Sequence, residues 1–226
     1  MNKMNNETIG QTAEYALCTL FSIPCSIKKE RINDVICESI VNQCKDFTFP
    51  KVIESVGYKN GSVDYICEHN ETLSLKTLKK YDGKMCPQVI GQPTLKRWDQ
   101  YWKLDFNGDL SKNPMRFEWI MANIHTFLNE MLKYIYCCDH LILISNCRGT
   151  PYIEYLRKIP PTYFTHQTIE YTRDVYEEKY NPLKQKYSEF STTLKLDGLS
   201  IGELQFHKSS RKQVKFRFYK RFLVSL

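Results

Sequence analysis

Hydrophobic residues recur along this chain with two different periods, and the switches between them mark its elements. Between residues 7 and 21, Ala13, Leu17, Leu20 and Phe21 fall on one helical face, with Thr8 placed to cap the first turn. From about 28 to 45, Ile32, Ile36, Ile40, Val41 and Cys44 keep helical spacing and predict a second helix, open to a split near its middle. Residues 61–77 alternate instead. SVDYICE and TLSLKTL predict two strands joined at His69-Asn70, with Leu73 and Leu75 on one face and Ser74 and Lys76 on the other. Pro93 opens a short helix to 102, and Pro114 a longer one to 136 with an apolar stripe from Phe117 to Ile135. DHLILISN, residues 139–146, predicts a buried strand, and prolines break up the run from 150 to 190. From 191 to 224, STTLKLDG, LSIGELQFH and QVKFRFYKRF predict successive strands with HKSSRK at a hairpin tip. Helices interleaved with strands imply an α/β fold: a mixed central sheet flanked by helices, in a single domain over 1–226. Its core spans about 7–150, and its terminal hairpin about 191–224.

Composition narrows the class. Hydrophobic residues make up 42% of the 226, enough for a real core, and no apolar run is long enough for a membrane span. The polar start MNKMNNETIGQTAE has no apolar leader segment. Nine cysteines, an odd number without a C-x2-C pair, predict reduced thiols in a cytoplasmic protein rather than a disulfide framework or a zinc site. Cys137, Cys138, His140 and Cys147 can be drawn as a metal cluster, but buried thiols are the plainer reading. The net charge of +7 is modest, yet it is concentrated. Lys208, Arg211, Lys212, Lys215, Arg217, Lys220 and Arg221 lie in one segment without an acid, which suits a phosphate-bearing partner.

The hairpin at 61–77 carries the candidate chemistry. Metal-assisted phosphodiester hydrolysis needs hard oxygen ligands and a nearby cation. Asp64 and Lys76 meet across a tight hairpin if both point to one face, and the Leu75 carbonyl adds a second oxygen. By themselves, an Asp and a Lys so spaced also fit an ordinary exposed hairpin. The layout resembles the PD-(D/E)xK nuclease superfamily, in which an aspartate on one strand is followed by a (D/E)-x-K triplet on the next. Here Val63-Asp64 stands for the first part and Ser74-Leu75-Lys76 for the second, with Ser74 in place of the usual acid. LSLKT resembles the second-strand motif of restriction enzymes and mismatch-repair nickases. CPQVIGQPT resembles a segment of type II restriction endonucleases, and IGELQFHKSSRKQVKFRF resembles their recognition hairpins.

The resemblance implies Mg²⁺ as cofactor, with Asp64, Leu75 and Glu14 as metal ligands. Asp64, Lys76 and Glu14 form the implied catalytic set; Glu14 comes from the first helix, and Glu68 and Glu71 are alternatives to it. It also implies double-stranded DNA as substrate, a homodimer on a palindrome, with an A·T-rich palindrome as the candidate target, and no membrane partner. Gln88, Gln92, Gln205, His207, Lys208, Ser209, Ser210 and Arg211 are the candidate DNA contacts: a two-stranded ribbon fits the major groove, where glutamine suits adenine and arginine suits guanine. Two other classes stay open: a monomeric mismatch-repair-type nickase, and a non-catalytic sequence-specific DNA-binding protein. Trp98 and Trp102, four residues apart, are expected to pack in a core.

Overall fold

The computed structural model describes residues 5–45, 47–57, 63–147, 150–160, 162–172, 180–181, 186–187, 190–207 and 212–226. The chain falls into two compact units, residues 1–83 with 136–159 and residues 84–135 with 160–226.

In the first unit, helix α1 (Asn6–Phe21) starts one residue before the expected 7–21. The side chain of Asn5 accepts the Thr8 amide at 2.8 Å, so Asn5 is the cap and Thr8 lies inside the first turn. The expected 28–45 helix divides into a 3₁₀ turn, Lys29–Arg31, and α2 (Asp34–Cys44). Asn33 causes the division, because its side chain accepts the Ile36 amide at 3.1 Å and begins a new helix. Strands β1 (Val52–Ser55), β2 (Tyr65–Cys67), β3 (Thr72–Thr77), β5 (His140–Ser145) and β6 (Tyr152–Arg157) form a sheet in the order β1-β2-β3-β5-β6. Only β3 and β5 run parallel. Ile9, Ala13, Ala16 and Leu17 of α1 and Ile36 and Ile40 of α2 form one core with Leu73, Leu75, Ile142, Ile144 and Ile153 of the sheet. Leu141 and Leu143 are buried too, so the interior strand β5 is covered on both faces, as an unbroken apolar run requires.

The second unit contains β4 (Lys84–Met85), α3 (Leu95–Trp102), α4 (Asn113–Ala122), α5 (Ile124–Lys133), β7 (Ile169–Tyr171), β10 (Phe190–Leu196), β11 (Leu199–His207), β12 (Gln213–Tyr219) and α6 (Lys220–Val224). Two-residue strands β8 (Tyr180–Asn181) and β9 (Lys186–Tyr187) pair with each other. The larger sheet is antiparallel in the order β4-β12-β11-β10-β7. Asp197 and Gly198, both at positive φ (49° and 76°), make the two-residue turn between β10 and β11, a conformation matched to strand twist. The single helix expected over 114–136 is two helices broken at Asn123 (φ −118°, ψ 30°). There the Asn123 side chain donates to the Trp119 carbonyl at 2.9 Å and competes with the helical ladder.

Leu204, Phe206, Val214, Phe216 and Phe218 give the sheet one apolar face. Phe216 meets Phe127 edge-to-face at 5.1 Å, and Phe218 stacks on Phe222 of α6. Trp98 is fully buried against Trp102 and Phe127, as expected for core tryptophans. Beside it Arg116, fully buried, forms a two-point ion pair with Asp99 at 2.7 and 2.5 Å. Its remaining nitrogen donates to the Asp109 carbonyl and the Asn113 side chain, so the buried guanidinium is well satisfied.

Candidate active site

Register places Asp64 where the hairpin stops being a ladder. Tyr65 pairs with Leu73 and Ile66 with Thr72, so Asp64 stands just before β2 rather than within it, beside Ser74. Its backbone is held from both sides. The Asp64 amide donates to the Leu73 carbonyl at 3.1 Å, and its carbonyl accepts the amides of Val56 and Gly57 at 2.8 and 3.1 Å.

β2 has not yet begun at Asp64, and β3 continues past it paired with β5 on its other edge. Asp64 Oδ2 accepts the Leu75 amide at 2.6 Å. The hydrogen bonds of β3 show which edge this is. Thr72 and Leu78 bond towards β5, through the Asp139 amide and the Ile144 carbonyl, while Leu73 bonds towards β2. Odd positions of β3 therefore present both amide and carbonyl to the β2 edge, so the Leu75 carbonyl lies on the Asp64 side of the strand.

Lys76 Nζ is 3.9 Å from Asp64 Oδ2, with the two side chains 26% and 18% exposed, so the pair is screened from water but reachable. Glu14 joins them from α1. The Tyr65 hydroxyl donates to the Glu14 carbonyl at 3.1 Å and fixes that turn of the helix to the sheet. The Glu14 carboxyl is held above its ordinary value, chiefly by burial, then by the negative charge of Asp64, with Lys76 pulling the other way. Among the described residues, two carboxylates and one ammonium thus share one electrostatic environment.

The other sequence candidates separate cleanly. Ser74 is fully buried, and its hydroxyl hydrogen-bonds the Cys138 thiol, so it is not part of an open ligand set. Glu68 pairs with Lys51 at 2.5 Å, and Glu71 with His140 at 3.0 Å. Both belong to the turn end of the hairpin, away from Asp64. Among the described residues, no group of three or more His, Cys, Asp or Glu side chains could hold a metal, and the nine cysteines are free thiols.

The candidate DNA contacts that are described all lie in the second unit. Gln205 and His207 project from β11 on the face opposite Leu204 and Phe206, across from Lys215 and Gln213. Gln92 reaches the same region, where its Nε2 donates to Gln213 Oε1 at 3.0 Å. Gln88 is half-buried earlier in that loop, its amide on the Tyr134 carbonyl. Lys208, Ser209, Ser210 and Arg211 lie outside the described residues. Gln213 was not singled out from the sequence, although the alternation of Val214, Phe216 and Phe218 already assigns it to the polar face.

No family model matches the sequence. The chain is similar to type II restriction enzyme CviAII of Paramecium bursaria Chlorella virus 1. They are 28% identical over 216 residues, 94% of this chain. The match spans 58% of that enzyme's length. No helix among the described residues is long and apolar enough to cross a membrane.

Proposed function

We propose that this protein is a type II restriction endonuclease with a PD-(D/E)xK-like core, making double-strand cuts in DNA by Mg²⁺-dependent phosphodiester hydrolysis. The observation that carries the reading is the junction at the start of β2, where Asp64, the Leu75 carbonyl edge, Lys76 and Glu14 converge in a chain similar to a restriction enzyme. Two carboxylates and a backbone carbonyl are hard oxygen donors, which suits Mg²⁺, an ion that keeps several waters and uses few protein ligands. When bound, that ion would polarise the scissile phosphate and acidify a water.

The chain's own groups do the rest. Asp64, fixed by the Leu75 amide, presents a preset carboxylate. Glu14 completes the ligand set or orients the water. Lys76 holds the attacking water and offsets charge as it develops on phosphorus, where a fixed cation in a partly dried site acts most strongly. Water attacks phosphorus, the bond to the 3′ oxygen breaks, and the product end carries a 5′-phosphate.

Gln88, Gln92, Gln205, His207 and the hairpin tip Lys208, Ser209, Ser210 and Arg211 would contact the duplex. Two-fold DNA calls for a homodimer with one site per subunit. Size and a composition rich in lysine, asparagine and tyrosine resemble SwaI, which cuts an all-A·T palindrome, so an A·T-rich palindrome is the target to try first.

A second reading has a specific observation in its favour: the position of the usual acid is the buried Ser74, as would suit a DNA-binding protein without catalysis. Digestion of long DNA with Mg²⁺, followed by sequencing of the ends, decides between them. Cuts at discrete sites by the wild type, lost in Asp64→Ala and Lys76→Ala, support the nuclease. Equal cutting by both variants removes these residues from the active site. Selective binding without cutting supports the second reading. A stable complex of two chains per duplex excludes a monomeric nickase.

A further inference from the structure

The polar face of the β11–β12 ribbon contains a side-chain pair that no element of the fold uses. Gln92 Nε2 donates to Gln213 Oε1 at 3.0 Å. Both glutamines are half-buried, and among the described residues their other amide groups have no protein partner. The backbone is arranged to bring them together. Gly91 gives its carbonyl to the Phe216 amide at 2.8 Å, Leu95 donates to the Lys212 carbonyl at 2.9 Å, and Thr94 bridges to Gln213. The 91–95 segment thus runs along the open edge of β12 and fixes Gln92 beside Gln213. Across the ladder from Gln213 stands His207, and Lys215 stands opposite Gln205.

The charge of this face suits an anion. Lys84, Lys215 and Arg217 point to it, and its one acid on these strands, Glu203, is engaged by Lys84 at 3.0 Å and by Arg217. Seven basic residues without an acid lie between 208 and 221.

We propose that Gln92 and Gln213 act as one reading unit for an adenine edge in duplex DNA, which makes Gln213 a specificity-determining residue. This rests on the nuclease reading for its substrate. Locked together, the two amides still offer both a donor, the Gln213 amide nitrogen, and an acceptor, the Gln92 oxygen. In the major groove adenine shows an acceptor and a donor side by side, whereas guanine shows two acceptors and cytosine one donor. The mutual hydrogen bond fixes both side chains before DNA arrives, so less rotamer entropy is lost on binding.

The test is selection of bound sequences from a randomised duplex pool in Ca²⁺, with cleavage of the selected target measured separately in Mg²⁺. Gln213→Ala and Gln92→Ala should each lower discrimination for A·T at the same position of the half-site by about tenfold to a hundredfold, leaving other positions unchanged. Lys215→Ala should weaken binding evenly across sequences and flatten the salt dependence. Unchanged selectivity in both glutamine variants overturns the inference, as does an even loss across all sequences with an intact thermal melt. A wild type that selects a sequence without cutting it fails the nuclease reading alone, and these same variants then still decide the adenine contact. A wild type that binds no duplex overturns both.

Discussion

Asp64→Asn separates chemistry from architecture at the junction. The asparagine side chain keeps an oxygen for the Leu75 amide, now bonded at 2.6 Å, but loses the charge. A hydrogen bond to a charged group contributes about 1.5–3 kcal/mol and a neutral one about 1, so the exchange costs on the order of 1 kcal/mol. The Lys76 pair, 3.9 Å apart and partly exposed, adds less than about 1 kcal/mol once solvent screening is counted. Relief of the repulsion between Asp64 and Glu14 works in the opposite direction. The net change therefore stays below about 2 kcal/mol, a melting shift of only a few degrees for a chain of this size. Asp64→Ala, by contrast, leaves the Leu75 amide unpaired and costs about 1–3 kcal/mol. If Asp64 serves phosphodiester hydrolysis, Asp64→Asn slows cutting by about 10²–10³-fold, the usual effect of losing one charge-stabilising group at a reacting centre. Single-turnover cleavage of a supercoiled plasmid in Mg²⁺, run beside thermal melts, reads both quantities. Wild-type cutting rates in a normally folded Asp64→Asn variant would refute the catalytic role. A melting point lowered by tens of degrees would refute the structural accounting.

Glu14→Gln should make the metal-free protein more stable at neutral pH, with the advantage vanishing below about pH 4.5. The folded carboxyl is raised by burial and by Asp64, so its favourable contribution is complete below the unfolded value and lost as pH rises through the folded one. Melts in chelator across that pH range check the sign, and a less stable variant at neutral pH contradicts it. Lys76→Met, which keeps the aliphatic stem, should fold normally and cut at least 10²-fold more slowly; unchanged rates in the plasmid assay would remove Lys76 from the reaction. Arg116→Met strands the buried Asp99 carboxylate and should cost about 3–5 kcal/mol by urea unfolding. Adding Asp99→Leu should recover part of that loss, and a double variant worse than the single one would argue against an ion-pair origin. A Cβ at Gly91 would lie 2.3 Å from the Pro87 carbonyl oxygen, so Gly91→Ala should cost roughly 1–3 kcal/mol and displace Gln92. Unaltered melting would show that the loop adjusts freely.

What the sequence revealed depended on whether a local period recorded a tertiary fact. Alternation identified β3, β11 and β12 because one face of each is apolar by necessity, an unbroken apolar run identified β5, and the alternation of β3 located Lys76 opposite Leu75. It was silent at Asn123, because a helical stripe continues through a break that one side-chain hydrogen bond creates. The two units were equally hidden: the chain leaves the first sheet after β3 and returns to it at β5, a closure with no local signature.

The active-site reading shows the same division more sharply. Ser74 and Lys76 share a face by period, yet one is fully buried on a thiol and the other is partly open, because cover over a strand changes within a single turn of its twist. Glu14 already ranked above Glu68 and Glu71 in the sequence, and the partners Lys51 and His140 hold the latter two at the turn end of the hairpin. Asp64 itself owes its position to the start of β2 rather than to a place within any strand. A backbone neighbour at that point would have taken the Leu75 amide that the Asp64 side chain now holds. With the described ladder beginning at Tyr65, the Asp64 carboxylate accepts the Leu75 amide that a paired strand would otherwise take, and on the proposed nuclease reading that fixed carboxylate, with Glu14 as the second charge, stands in for the acid missing at Ser74.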